Sequence, residues 1–213
     1  MVDELNLVTQ LAVVFGTILL SMTFHEVMHG FVAFKLGDDT AYLSGRLTLN
    51  PLKHIDPFLT ILLPLLLVLA GAPPFGGAKP VPFNPARLKY DEYGAALVAI
   101  AGPLTNLFLA VISGLWIRFV LTDVNSLLTL IVAQFFVVNL AFFIFNMIPI
   151  PPLDGSRVLY AFAPDSLRDF LGVIERNGLI VIAFLVIFFN DALGIFITRL
   201  INILGSFIIG PLW

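Results

Sequence analysis

His25-Glu26-Val27-Met28-His29 lies towards the far end of an apolar run that begins at Leu5. On a helix, residues four apart share a face, so His25 and His29 can aim both imidazoles at one point with Glu26 beside them. Neutral imidazoles suit a borderline-soft ion such as zinc, and a catalytic zinc keeps three protein ligands and one open position. Glu26 then stands where a general base would, next to the ion but not needed as a ligand. Two packed, hydrogen-bonded histidines are the plain alternative. The setting argues against it, because ionisable groups inside an apolar span cost roughly 2.5 to 3.5 kcal/mol each and are usually there for function.

The rest of the composition agrees with a chain that lives in lipid. Its 213 residues are 59% hydrophobic and 12% charged, with mean hydropathy +1.02, against about 25% charged for a soluble domain. A net charge of -3 with no basic run offers nothing to nucleic acid, and the absence of cysteine excludes disulfides and thiolate metal sites. Asp3 and Glu4 stand where a signal peptide would be basic, so the first apolar run is expected to be kept as a spanning helix.

Beyond Gly37 the pattern changes. Thr40 to Leu49 alternates loosely around Ser44-Gly45, which predicts a small β-hairpin. Two uses stand open for it: a surface hairpin, or an edge that holds an unwound substrate extended. Phe58 to Ala70 is apolar but short and contains Pro64, which predicts a re-entrant segment, and Gly71 to Pro85 is too rich in Pro and Gly for helix. Two long spans follow, Gly94 to Leu121 and Leu127 to Ile148, joined by a turn around Asp123. The first carries small residues Ala95, Ala96, Ala99, Ala101 and Gly102, which let helices approach closely. Of the amides on these spans, Asn139 reads as interhelical glue, and Asn106 and Asn146 as candidates to hold a substrate backbone or oxyanion. The second span ends in Asn146-Met147-Ile148-Pro149-Ile150-Pro151-Pro152-Leu153-Asp154-Gly155, which brings a carboxylate to the edge of lipid. With two histidines lacking a third ligand, Asp154 is the leading candidate. One or two short interfacial helices are expected over 156–177, then apolar stretches 178–189 and 192–213 with Asn190-Asp191 as a turn. Arg199 leaves open whether the last one spans.

Charge fixes an expected topology. Nearly all the Lys and Arg fall in the segments 31–57, 72–93 and 154–177, which the positive-inside rule puts in the cytoplasm. His25 and Asp154 can meet only if 58–70 returns to the side it left. Its shortness and Pro64 agree.

His25 to His29, Ala101-Gly-Pro-Leu-Thr-Asn106 and Asn146 to Gly155 occur in an order that resembles the site-2 proteases, the intramembrane zinc metalloproteases. The similarity runs from about residue 20 to 160. It implies His25, His29 and Asp154 as ligands of one zinc per chain, Glu26 as the base, and, by a weaker transfer, Asn106 and Asn146 near the substrate. The expected fold is an all-α polytopic membrane protein of five to six transmembrane helices, with the β-hairpin and the re-entrant segment near the active site. It is read as one domain over 1–213, a core of about 5–160 with C-terminal helices over about 170–213, resembling compact prokaryotic members without a PDZ or CBS domain. The resemblance implies a multi-pass protein of the cell membrane with its active site nearer the cytoplasm. It would cleave peptide bonds within or near transmembrane segments of membrane proteins or peptides, in regulated proteolysis or remnant clearance. Lipid is the other expected partner, and a homo-oligomer is left open. A zinc carrier is the rival from another class, but it needs a continuous polar path and internal repeats, and neither is found.

Overall fold

A computed structural model describes residues 7–69, 76–120 and 126–210. The acidic Asp3 and Glu4, the first part of the Gly71 to Pro85 loop, the turn around Asp123 and the last three residues lie outside the described residues.

Three long apolar helices form the frame: α1 (Leu7–Lys35), with α2 (Thr40–Leu43) and α3 (Leu63–Leu69) between it and α4 (Asp91–Phe119), then α5 (Leu127–Asn146). Paired residues give their directions. His29 on α1 meets Val98 on α4 while His25 meets Asn106, so α1 and α4 are antiparallel. Asn106 on α4 meets Asn139 on α5, and Asn139 meets Ser21 on α1. Each helix satisfies its own backbone groups, as apolar surroundings demand, and polar side chains set the register between them. On the far side of this frame Ala110, Phe136, Leu140 and Ile144 pack with Ile201, Ile208 and Ile209 of α9 (Asn190–Ile209). That packing stands α9 in the bundle, with Arg199 on its outer face.

Among the described residues four helices are long and apolar enough to cross a membrane, α1, α4, α5 and α9, or five if α7 (Asp165–Arg176) and α8 (Gly178–Phe188), bent by 80°, count as one broken span. The higher count meets the lower end of the five to six expected and the lower count falls short of it, because α8 alone has 11 residues, too few for a hydrocarbon core of about 30 Å. The segment over 58–70 is helical: a wide π-turn at Pro57–Leu62 runs into α3. Gly77 N–H donates to Leu59 O at 3.1 Å and Thr60 Oγ1 to Gly77 O at 2.7 Å. The chain therefore comes back to the point where the segment began, as expected for a re-entrant element.

The predicted β-hairpin is absent. No strand occurs among the described residues, and Thr40–Leu43 forms one helical turn instead. Asp38 Oδ1 accepts from Thr40 N at 3.1 Å and starts that turn. Gly45, at φ +64°, ends it. Gly45 N donates to Tyr42 O and Arg46 N to Ala41 O, both at 2.9 Å. These are the paired bonds of a Schellman motif, which also wants glycine at the left-handed position. Ser44-Gly45 is thus a helix terminator, and residues 46–50 run on without regular structure.

Asp38 also ties this corner to the loop before α4, since its Oδ2 accepts from Asn84 N at 2.5 Å. Burial alone would raise its pKa. Hydrogen bonds from the Thr40 hydroxyl and from the Asn84 and Thr40 amides, with the Arg87 charge behind them, outweigh burial and hold it below 3.8. A depressed folded pKa stabilises above the unfolded value, and the gain is lost as pH falls through the folded one. Asp38→Ala is expected to lower the thermal midpoint in detergent at neutral pH, each buried donor left unpaired costing about 1–3 kcal/mol. The gap from wild type should then close on acidification. A gap of constant size through the acid range would count against the charge.

Candidate metal centre

His25 and His29 sit on α1 about 27 and 33 Å from its first residue, both buried. Their Nε2 atoms are 2.9 Å apart. Asp154, the first residue of α6 (Asp154–Phe162), brings Oδ2 to 3.1 Å from His25 Nε2 and 3.4 Å from His29 Nε2. The tight turn before α6 makes this reach possible. Gly155 is required there, because a Cβ would come within 2.4 Å of Met147 O at the end of α5.

The other ring nitrogens settle the protonation pattern. His29 Nδ1 lies 2.7 Å from Val98 O, which can only accept, so that nitrogen carries the proton. Asn106 Nδ2 donates to Ser21 O at 3.2 Å and to Asn139 Oδ1 at 2.8 Å. This leaves Asn106 Oδ1 to accept from His25 Nδ1 at 2.6 Å. Asn139 Nδ2 completes the network on Ser21 Oγ at 2.9 Å and Phe135 O at 2.8 Å. In the neutral rings so oriented both Nε2 atoms present lone pairs, and they meet a carboxylate oxygen that is itself buried without a hydrogen-bond partner. Three acceptors converging with no donor between them call for a cation. Tetrahedral zinc with bonds of about 2.0–2.1 Å separates its ligand atoms by about 3.3 Å, close to the spacing here. His25, His29 and Asp154 thus form a group that could hold a metal ion, and their donor set fits zinc.

With that geometry in place, the sequence relatives speak to the same chemistry. A candidate zinc metalloprotease of Bacillus subtilis (strain 168), YwhC, is 39% identical over 204 residues, 92% of this chain and 83% of its own. The chain belongs to this zinc metalloprotease family. Rip2 of Mycolicibacterium smegmatis, likewise a candidate zinc metalloprotease by name, is 31% identical over 79% of this chain and 64% of its own. MJ0611 of Methanocaldococcus jannaschii, also a candidate zinc metalloprotease by name, is 34% identical over 64% of this chain and 63% of its own. No protein-family model matches the chain, and no solved structure matches it at a significant level.

Sequence position alone did not separate the roles of the two asparagines. Asn106 is wholly buried behind His25 and spends its amide on His25, Ser21 and Asn139. Asn146 Nδ2 donates to Phe142 O, one turn back on its own helix, at 3.0 Å. Asn139 is the interhelical bridge it was expected to be. Glu26 stands on the turn between the two histidines, and its Oε2 accepts from Val81 N at 2.8 Å. Two contributors were missed. Ser21 lies one turn before His25, so the same helical spacing could have found it. Gly102 was noted only as one of several small residues, yet a Cβ there would come within 2.5 Å of His29 Nε2 and 2.7 Å of His25 Cε1.

Gly102 therefore lets α4 approach the imidazoles closely enough for Val98 O and Asn106 to reach them. Gly102→Ala is expected to push both rings off their acceptors and to lower zinc per chain in purified protein well below wild type, with helix content by circular dichroism kept. Full zinc in that variant would mean that α4 can shift without loss of the site.

Proposed function

We propose that this metalloprotease is an intramembrane one, which hydrolyses peptide bonds within or near transmembrane segments of its substrates. The carrying observation is the convergence of the His25, His29 and Asp154 acceptor atoms inside a bundle of membrane-length apolar helices. His25, His29 and Asp154 would hold one zinc per chain. When bound, the ion supplies Lewis acidity, which polarises a peptide carbonyl and acidifies water near pH 7.

The protein's own groups do the rest. Glu26, on the turn between the two histidines, takes a proton from the attacking water and returns it to the leaving amine nitrogen as the C–N bond breaks. Asn106 and Val98 O fix the tautomer of each histidine, keeping Nε2 free for the ion, a support worth about 10–100-fold in metal affinity in known sites. The basic segments flank the ends of α1 and α4 nearest the site, which supports a multi-pass protein of the cell membrane with water arriving from the cytoplasmic side. A substrate helix hides its peptide bonds in its own hydrogen bonds, so it must unwind to be cut. Small, helix-weakening residues in the target are therefore favoured.

The test uses detergent-solubilised peptides of roughly 20 apolar residues with lysine flanks, with and without mid-span Gly and Asn, and products mapped by mass spectrometry. Wild type should cleave inside the apolar stretch of the Gly- and Asn-containing peptides. Glu26→Gln should keep its zinc and lose activity by about 10²-fold or more, while Asp154→Ala should lose the zinc itself. Cleavage confined to the flanks, or full zinc in Asp154→Ala, would overturn the reading.

A further inference from the structure

The stretch Ala78-Lys79-Pro80-Val81-Pro82 lies along α1 without regular structure, and its amides are spent in a definite order. Pro80 and Pro82 have no N–H, so Lys79 and Val81 carry the donors of residues 79–82. Lys79 N donates to His54 O at 2.9 Å and Val81 N to Glu26 Oε2 at 2.8 Å. Lys79 O in turn accepts from Arg46 Nη2 at 2.5 Å. Arg46 is buried with no carboxylate partner among the described residues, an expensive arrangement for a cation if it served only local packing. His54, wholly buried, is anchored by Nε2 on Thr48 O at 2.8 Å. Val81 itself is seated by Gly30, one turn beyond Glu26, where a Cβ would come within 2.9 Å of Val81 Cγ1.

From this chain of contacts we infer that the Val81 backbone N–H is a positioning group for Glu26, held in place by Arg46 through the Lys79 carbonyl. A glutamate side chain on a helix has several rotamers, and in the fraction of time it spends in the wrong one it cannot serve the reaction. One carboxylate oxygen is held by the amide, and the other has no hydrogen-bond partner among the described residues, so it is left to meet water. Because the donor is backbone, the side chain of residue 81 is secondary and proline is the substitution that removes the contact. The inference rests on Glu26 being the base.

The experiment compares Val81→Pro, Val81→Ala and Arg46→Met on the best-cleaved apolar peptide, measuring kcat, KM and zinc per chain, with Glu26→Gln alongside. Val81→Ala keeps the N–H and should recover most of the rate. Val81→Pro should fall about tenfold or more below Val81→Ala in kcat, with KM and zinc unchanged. Arg46→Met adds no bulk beside Glu26 and should also lower kcat at constant KM, and it decides the matter if Val81→Pro loses its zinc or its fold. Equal rates for Val81→Pro and Val81→Ala, a rise in rate in Val81→Pro, or a wild-type rate in Arg46→Met would each overturn the inference. An active Glu26→Gln would instead overturn the reading on which it rests, so the two failures are distinct.

Discussion

Everything at the centre of this molecule depends on the side chain of Asn106, which joins three helices through three bonds. It accepts from His25 on α1, donates to a backbone carbonyl of α1 at Ser21, and donates to Asn139 on α5. Inside lipid there is no hydrophobic force to press one apolar helix on another, so such bonds and close packing carry the association. An amide is suited to the task because it can both give and accept, which a carboxylate or an ammonium cannot. The same side chain that sets the register also turns His25 Nε2 inward, by accepting from its Nδ1. Architecture and chemistry are therefore fixed by one interaction.

The metal centre draws its residues from chain segments that are distant in sequence but near in depth. Its two histidines come from one face of α1, which fixes their spacing through helix geometry alone. Asp154 arrives only after the chain has run through α4 and α5 and been halted by the prolines that follow α5. Burial without partners is costly for each acceptor, and together they make a place where a divalent cation relieves more strain than any single donor could. Family membership and local geometry point the same way from separate grounds.

Much of this was legible in the sequence where the signal was local. The His25 and His29 pair needed only helical spacing, and α1, α4 and α5 needed only long apolar runs. Asp154 was reached as the carboxylate that follows the prolines after α5, when two histidines lacked a third ligand. The hairpin failed because Ser44-Gly45 can close a helix as readily as it turns a strand pair. What decides between them is Asp38, whose two oxygens join Thr40 to a loop amide at Asn84, a long-range tie that alternation cannot reveal. Asn106 was found as a polar residue but not as the partner of His25, since an amide's direction is a three-dimensional fact. The Val81 N–H could not have been found at all, because a backbone group has no letter of its own.

A helix standing in lipid can ordinarily slide along its axis and turn about it. α1 has given up both freedoms. Ser21, His25 and His29 clamp it at mid-depth, and at its end Leu36 O accepts from Lys89 N at 2.9 Å while Asp38 holds Asn84. Two anchors at different heights remove the slide, and their different azimuths remove the rotation. α1 is therefore the stator of the molecule. The short segment 57–69, by contrast, is tied to Gly77 at its foot, through Leu59 O and Thr60 Oγ1.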